Sequence, residues 1–136
     1  MVKKYRQKLS QIFEENDVIL AYLFGSEAKG ASHRESDVDI GVLFNKKARP
    51  KDYLKKEGKL IEFFSEIFPE REINIVNLNI ASPLLKQVAI LEGNLLYQRG
   101  DLDRILFQIQ TLHEYEDYLH LSNIYNQFLE LKLKAL

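Results

Sequence analysis

Residues 18–44, VILAYLFGSEAKGASHRESDVDIGVLF, contain the two apolar segments from which we predict the fold. The first segment, residues 18–24, is uninterrupted and short, which is typical of a buried strand. Gly25-Ser26 ends it, and the following residues have room for one helical turn that the Ser26 side chain would cap. A second strand is predicted over residues 37–44, with its polar residues at its beginning. The stretch therefore predicts strand, helical turn, polar loop and strand.

The other segments alternate between helical and strand patterns. Helices are predicted over residues 2–15, 51–68 and 83–92, a last helical region runs from residue 101 to the C-terminus, and strands are predicted over 71–78 and 95–97. This order predicts an α+β fold in which a small mixed β-sheet is backed by helices and followed by a C-terminal helical extension.

Local signals refine the helices. In the second helix the expected apolar, inward-facing residues are Leu54, Leu60, Ile61, Phe64 and Ile67. Ser82-Pro83 is a cap followed by proline at the first helical position, and Gly93 predicts a left-handed end to the same helix. Asp101 is expected to cap the last helical region, and a break is expected between residues 111 and 117, where the apolar phase shifts.

Composition excludes several classes of protein. The chain has 136 residues, 46% of them hydrophobic and 29% charged, which predicts one globular core. The absence of cysteine excludes disulfides, zinc–cysteine sites and thiol catalysis. No apolar run reaches the ~20 residues of a membrane span, and no signal-peptide core follows the first lysines, so we expect a cytoplasmic protein. A net charge of -1 gives no general attraction to nucleic acid.

The polar residues between the first two strands carry the chemistry. Asp37 and Asp39 are two positions apart in a strand and point to the same face, where their carboxylates repel unless a cation lies between them. Mg²⁺ prefers such oxygen ligands together with substrate phosphates. Gly25 allows close approach to a ligand, and Ser26 with the first amides of the helical turn offers an anion site. Each feature alone is common in turns, but their joint order indicates a nucleoside-triphosphate site.

The motif Gly-Ser-x10-Asp-x-Asp, here GSEAKGASHRESDVDIGV, resembles the minimal nucleotidyltransferases of the DNA polymerase β superfamily. The resemblance covers about residues 18–97 and includes ASPLLKQVAILEGNLLY as the downstream helix and strand. In size the chain is similar to the MntA-like antitoxins, which act beside a HEPN-domain ribonuclease toxin. The resemblance implies transfer of AMP from ATP to a tyrosine hydroxyl of the toxin, which silences it.

The resemblance also implies roles for single residues. Gly25 and Ser26 would hold the triphosphate, and Asp37 and Asp39 would be catalytic and bind two Mg²⁺ ions. Lys29, one turn after Ser26, either adds positive charge against the phosphates or is an ordinary solvated lysine.

The sequence departs from the family at the third metal-binding position. The family places a third carboxylate on the next strand, and the matching residue here is Asn74, whose amide can donate an oxygen ligand but cannot accept a proton. Glu72 lies two residues earlier on the same strand face and is an alternative third ligand. Nucleotide binding is therefore the firmer expectation, and turnover depends on this position.

The resemblance divides the chain into a nucleotidyltransferase domain, 1–100, and a helical extension, 101–136. In the extension Leu121, Ile124, Tyr125 and Phe128 form an apolar stripe at helical spacing. The stripe either wraps back onto the core or docks a partner, and its aromatic residues favour a partner. We expect a hetero-oligomer with the HEPN toxin through this helix.

Two other functions stay open. A binding-only antitoxin that has lost turnover is favoured by Asn74, and a transferase acting on a small molecule would normally carry an additional domain. The nuclease itself is excluded, because no arginine here is followed by a histidine after four to six residues, as the HEPN motif requires.

Overall fold

The structure is a computed structural model that describes residues 5–25 and 37–136. Within these ranges the elements are α1 (Arg6–Glu15), β1 (Val18–Phe24), β2 (Val38–Phe44), α2 (Tyr53–Ile67), β3 (Ile73–Asn77), α3 (Pro83–Glu92), β4 (Asn94–Gln98) and α4 (Asp101–Lys134). A 3₁₀ turn, Pro50–Asp52, leads into α2. The predicted α+β order is confirmed. The helical turn predicted after Gly25 lies outside the described residues.

The four strands form one mixed sheet in the order β3-β2-β1-β4. β1 runs antiparallel to both β2 and β4, whereas β2 and β3 are parallel. The two apolar segments of the sequence are therefore the two central strands, which explains their hydrophobicity. This topology brings the end of β1 and the beginnings of β2 and β3 to one end of the sheet, which we call the site end.

Helices cover both faces of the sheet. α1 and α2 pack on one face, where Phe13, Leu60 and Phe64 are fully buried against the central strands. α3 and the first part of α4 pack on the other face through Ala89 and Phe107. Because β-strand side chains alternate between faces, Val38 and Ile40 join the first core while Asp39 between them points to the α3–α4 face.

The predicted inward face of α2 is partly wrong. Leu60, Phe64 and Ile67 are buried as expected, but Leu54 is 81% and Ile61 38% exposed. These two residues lie on the side of the helix that runs beside β3, the outer strand of the sheet formed by the described residues. They are exposed because the sheet does not continue beneath them.

The two ends of α3 differ in how well they were predicted. Ser82 caps the helix as expected, since its Oγ accepts a hydrogen bond from the backbone N–H of Leu85 at 3.2 Å. Gly93 is not left-handed, because its φ is -84° and its ψ 156°. Glycine is needed there for space, since a Cβ would overlap the carbonyl of Ala89 and lie 3.2 Å from the Cβ of Tyr22.

α4 is one continuous helix of 34 residues, so the expected break is absent. At 1.5 Å per residue it is about 50 Å long. Only Phe107 and Thr111 within it are buried, so the apolar phase shifts where α4 leaves the core, and the helix continues unbroken from there. Gly100, not Asp101, is the N-cap, and the Asp101 carboxylate instead accepts a hydrogen bond from Gln98 at 2.8 Å.

None of the helices in the described ranges combines the length and the apolar character that a membrane span requires.

Candidate active site

Gly25 follows β1 at the site end and has a φ of +80°, a left-handed conformation that favours glycine. A Cβ at this position would lie only 2.5 Å from Oδ2 of Asp39. The sequence predicts that Gly25 leaves room for a ligand, but not that it leaves room for this carboxylate. The strand register explains the closeness, because Phe24, the residue before Gly25, pairs with Asp39.

Asp37 and Asp39 lie at the beginning of β2. Asp39 is the second residue of the strand, partly buried, and pairs with Asn74 in β3. Asp37 precedes the strand and is exposed. Positions two apart on a strand share a face, and the structure brings both carboxylates to the side chain of Asn74.

The Asn74 amide joins the two carboxylates. Its Nδ2 donates to Oδ1 of Asp39 at 3.1 Å and to Oδ2 of Asp37 at 3.3 Å. The two acidic side chains thus converge on a single small polar group, which offsets part of their mutual repulsion through two charge-assisted hydrogen bonds. The sequence places Asn74 beside the pair but does not predict these bonds, because they depend on the parallel register of β2 and β3.

This arrangement fits a divalent cation. Asn74 carries an amide oxygen as well as the nitrogen, and a half-turn about its last side-chain bond exchanges the two. The residues that the structure describes contain no group of three His, Cys, Asp or Glu side chains able to hold a metal. The ligand set they do offer is two carboxylates and one neutral amide.

Glu72 lies outside β3, immediately before its first residue, and is exposed. Its backbone carbonyl accepts a hydrogen bond from Val38 at 2.8 Å, which fixes the register of β2 against β3. The hydrogen bonds found for the side chains of Asp37 and Asp39 in the described part of the chain are donated by the Asn74 amide. Ser26 and Lys29, both predicted to bind nucleotide, lie outside the described residues.

A larger cavity, of about 500 Å³, lies at the opposite end of the sheet, between the ends of β2 and β3 and the first half of α4. The charged side chains that line it are largely paired: Lys86 with Glu114 at 2.9 Å, and Arg99 with Asp103 at 2.7 Å. These pairs hold α3, α4 and the end of β4 together. The acidic site end therefore remains the candidate active site.

A family model described as "Polymerase beta, Nucleotidyltransferase" matches residues 7–102. The chain belongs to this nucleotidyltransferase family. The match includes every element that builds the site end, from β1 with Gly25 to β3 with Asn74.

A curated relative of this nucleotidyltransferase is the protein adenylyltransferase MntA of Shewanella oneidensis. The two chains are 32% identical over 97 residues, which is 71% of this chain and 66% of the relative. The matched region thus spans slightly less than two thirds of the relative's length.

Solved structures share the fold. A chain from a crystal structure of a toxin–antitoxin with AMP-PNP is 27% identical, with a TM-score of 0.68 and coverage of 92% of this nucleotidyltransferase and 95% of that chain. A chain from the complex of tri-AMPylated Shewanella oneidensis HEPN toxin with MNT antitoxin has a TM-score of 0.65 at 23% identity, covering 96% and 97%. These structures therefore confirm the predicted fold class over more than nine tenths of the chain and not only over the motif.

Proposed function

We propose that this protein is a Mg²⁺-dependent nucleotidyltransferase that moves AMP from ATP to a tyrosine hydroxyl of a HEPN toxin and thereby acts as its antitoxin. The observation that carries the proposal is the convergence of Asp37 and Asp39 on Asn74 beside Gly25. Gly25, Ser26 and Lys29 would bind the triphosphate, and Asp37 and Asp39 would be the catalytic metal ligands.

Asp37, Asp39 and the amide oxygen of Asn74 would hold Mg²⁺, with two ions when nucleotide is bound. When bound, these ions neutralise charge on the phosphates and orient the attacking and leaving oxygens in line. The protein contributes the fixed positions of the two carboxylates, which the strand pairing of β2 with β1 and β3 holds at the site end.

In the reaction the acceptor oxygen bonds to the α-phosphorus of ATP, and the bond from that phosphorus to the pyrophosphate breaks. The proton of the acceptor hydroxyl has to leave, and the Asn74 amide cannot accept it. Glu72 is exposed immediately before β3 and is not one of the proposed metal ligands, so it is the carboxylate we propose for this step. Its exposed side chain passes the proton to water.

The partner is proposed from two observations. The relative with 32% identity is named a protein adenylyltransferase, and the structural neighbour with 27% identity is part of a toxin–antitoxin. In addition, the second half of α4 carries apolar side chains that are not buried in either core cluster of the described chain: Leu121 is 65%, Tyr125 61% and Phe128 58% exposed. We propose that this helical extension, residues 101–136, follows the catalytic domain and docks the toxin.

A second candidate is a binding-only antitoxin. It is favoured by Asn74, which supplies an N–H donor to Asp37 and Asp39 at the position where the family has a third carboxylate. In this case the protein would mask the toxin through α4 and bind nucleotide without turnover.

Incubation of the purified protein with Mg²⁺, ATP labelled at the α-phosphate and the HEPN-domain product of the neighbouring gene separates the two. Label on a toxin tyrosine, found by mass spectrometry, supports the transferase. A stable complex without label supports masking alone. If the toxin carries no label and forms no stable complex, both candidates are wrong.

A further inference from the structure

β3 presents an open edge beside the catalytic carboxylates. In a parallel pair, alternate residues of a strand bond to the neighbour. Here Val38 donates to the carbonyl of Glu72 and Leu78 donates to that of Val42, both at 2.8 Å, so the even-numbered residues of β3 face β2. The N–H and C=O groups of Ile73 and Ile75 therefore point away from β2, toward the edge where the described chain places no further strand.

An apolar groove of about 340 Å³ runs along this edge, between β3 and α2. Its α2 side consists of positions 54, 57, 58 and 61, which share one side of the helix, and its β3 side of residues 73–75. Leu54 and Ile61, the two exposed apolar residues of α2, lie here. The groove reaches Asn74, and so it is continuous with the site end.

We propose that the groove and the open edge of β3 dock the acceptor protein, which pairs an extended segment with β3 and thereby presents its hydroxyl to the site. This inference rests on the proposed function. An extended segment is the ligand that an unpaired strand edge recognises, because it supplies backbone donors and acceptors at the same two-residue repeat.

The alternation of side chains connects the groove with the chemistry. Ile73 and Ile75 point to the α2 face, whereas Asn74 points to the face that carries Asp39. The added segment alternates in the same way. Its residue beside Asn74 lies about 5 Å away on the face of the carboxylates, and the residues before and after it enter the groove.

The groove also defines the chemistry of the segment. Its lining is apolar except for Asn74 and Glu57, and it contains no basic residue. Burial raises the pKa of the Glu57 carboxyl, and none of the described residues that line the groove is a cation that would oppose this rise. The segment that fits has a hydroxyl residue between two apolar residues, with a lysine or arginine near the position of Glu57.

Amide hydrogen exchange, followed residue by residue by NMR on the complex with the HEPN toxin, tests the pairing directly. In the free protein the amides of Asn74 and Val76, which bond to β2, should exchange slowly and those of Ile73 and Ile75 fast. On binding, Ile73 and Ile75 should become protected at least tenfold. A complex that leaves both amides unprotected overturns the proposal. If these amides become protected without the toxin as the concentration of the protein rises, the edge pairs with a second copy of this chain, and the proposal is also overturned.

Gly58 provides a matched pair of variants. A Cβ at this position would meet nothing within 4 Å, so a side chain can begin here without a clash. Gly58→Phe should fill the groove and raise the KM for the toxin at least tenfold, with the affinity for Mg²⁺-ATP unchanged. Gly58→Ala adds only one methyl group to the groove, so its KM for the toxin should lie well below that of Gly58→Phe. Equal KM values for the Phe and Ala variants would overturn the proposal.

The two tests separate this inference from the proposed function. If the wild type transfers no AMP, the proposed reaction is wrong, and the exchange of Ile73 and Ile75 in the complex still decides whether β3 docks the toxin. If AMP is transferred while these amides stay unprotected and Gly58→Phe has no effect, the reaction stands and the docking edge is wrong.

Discussion

The Oδ2 atom of Asp39 lies 2.5 Å from the point where a Cβ on Gly25 would stand. The Asp39 carboxylate at the beginning of β2 therefore fills the space that a side chain on Gly25, at the end of β1, would need, and the bend of the chain and the position of this proposed metal ligand depend on each other. This relationship and the contacts of Asn74 lead to the following predictions.

Gly25→Ala should displace the Asp39 carboxylate and strain the backbone, because φ at position 25 is +80°. The strain costs about 1–2 kcal/mol of folding free energy. AMP transfer should also fall in the fraction that stays folded, because the Asp39 carboxylate, the proposed metal ligand, is displaced. Thermal unfolding and label transfer measure the two effects. Gly100→Ala is the control, since a Cβ there meets nothing within 4 Å; equal activity of both variants would contradict the geometry.

Asp37→Asn and Asp39→Asn should each lower AMP transfer by about 100-fold or more, because each removes a carboxylate proposed to hold Mg²⁺ against the reacting phosphates. Each should also weaken Mg²⁺-dependent ATP binding in calorimetry. Asp117→Asn, an exposed change on the far part of α4, should have no effect. Retention of Mg²⁺-dependent binding in both site variants would show that the nucleotide binds elsewhere.

Asn74→Asp should have opposite effects without and with Mg²⁺. Without the ion it removes two hydrogen bonds and adds a third carboxylate, so the free energy of unfolding should fall by about 1 kcal/mol or more. With Mg²⁺ the loss should be recovered, and AMP transfer should exceed that of the wild type. Asn74→Ala loses the same bonds but should show no such recovery. Unchanged or lower transfer by Asn74→Asp would show that the third position does not limit turnover.

Phe128→Glu should leave the stability of the isolated protein unchanged, because the side chain is 58% exposed and packs on no core. It should weaken the complex with the toxin at least tenfold, as expected for a charge placed in a docking stripe. Asn123→Glu introduces the same charge on the opposite side of α4 and serves as the control. Equal affinities in a pull-down titration would exclude the stripe as the docking surface.

Glu57→Gln should stabilise the protein at neutral pH. Burial raises the pKa of Glu57, so the folded state binds its proton more tightly than the unfolded state, and stability is lost as the pH rises through the raised pKa. Glutamine carries no charge, so this loss is absent in Glu57→Gln. The gain in the free energy of unfolding should be less than about 1 kcal/mol, because the Glu57 side chain still reaches water. Below the ordinary pKa of 4.5 the variants should not differ. Exposed Glu62→Gln is the control, and an unchanged pH profile for Glu57→Gln would contradict the prediction.

Elements whose formation depends on only a few neighbouring residues could be predicted from the local sequence. The apolar run 18–24 is a strand with the predicted bounds, because a short uninterrupted run of this kind has to be buried on both faces. Ser82-Pro83 begins α3 as predicted, because the cap and the proline act on the same helical turn. The motif from Gly25 to Asp39 also indicated the family, which the match over residues 7–102 confirms.

Other features depend on contacts between distant segments. The extended backbone of Gly93 at the end of α3 could not be predicted, because it depends on the contact with Tyr22 in a distant strand. The unbroken course of α4 could not be predicted either, because it depends on where the helix leaves the core. The exposure of Leu54 follows from the position of β3 at the edge of the sheet, which hydrophobic periodicity does not contain.

The sequence by itself determined the two central strands, the capped third helix and the family, because spacing and side-chain type act locally. Only the tertiary structure decided that Asp37 and Asp39 meet on Asn74, that Asp39 fills the space beside Gly25, and that the edge of β3 stays open next to them. These relations depend on strand register, and register is set by pairing between segments that lie far apart in the chain.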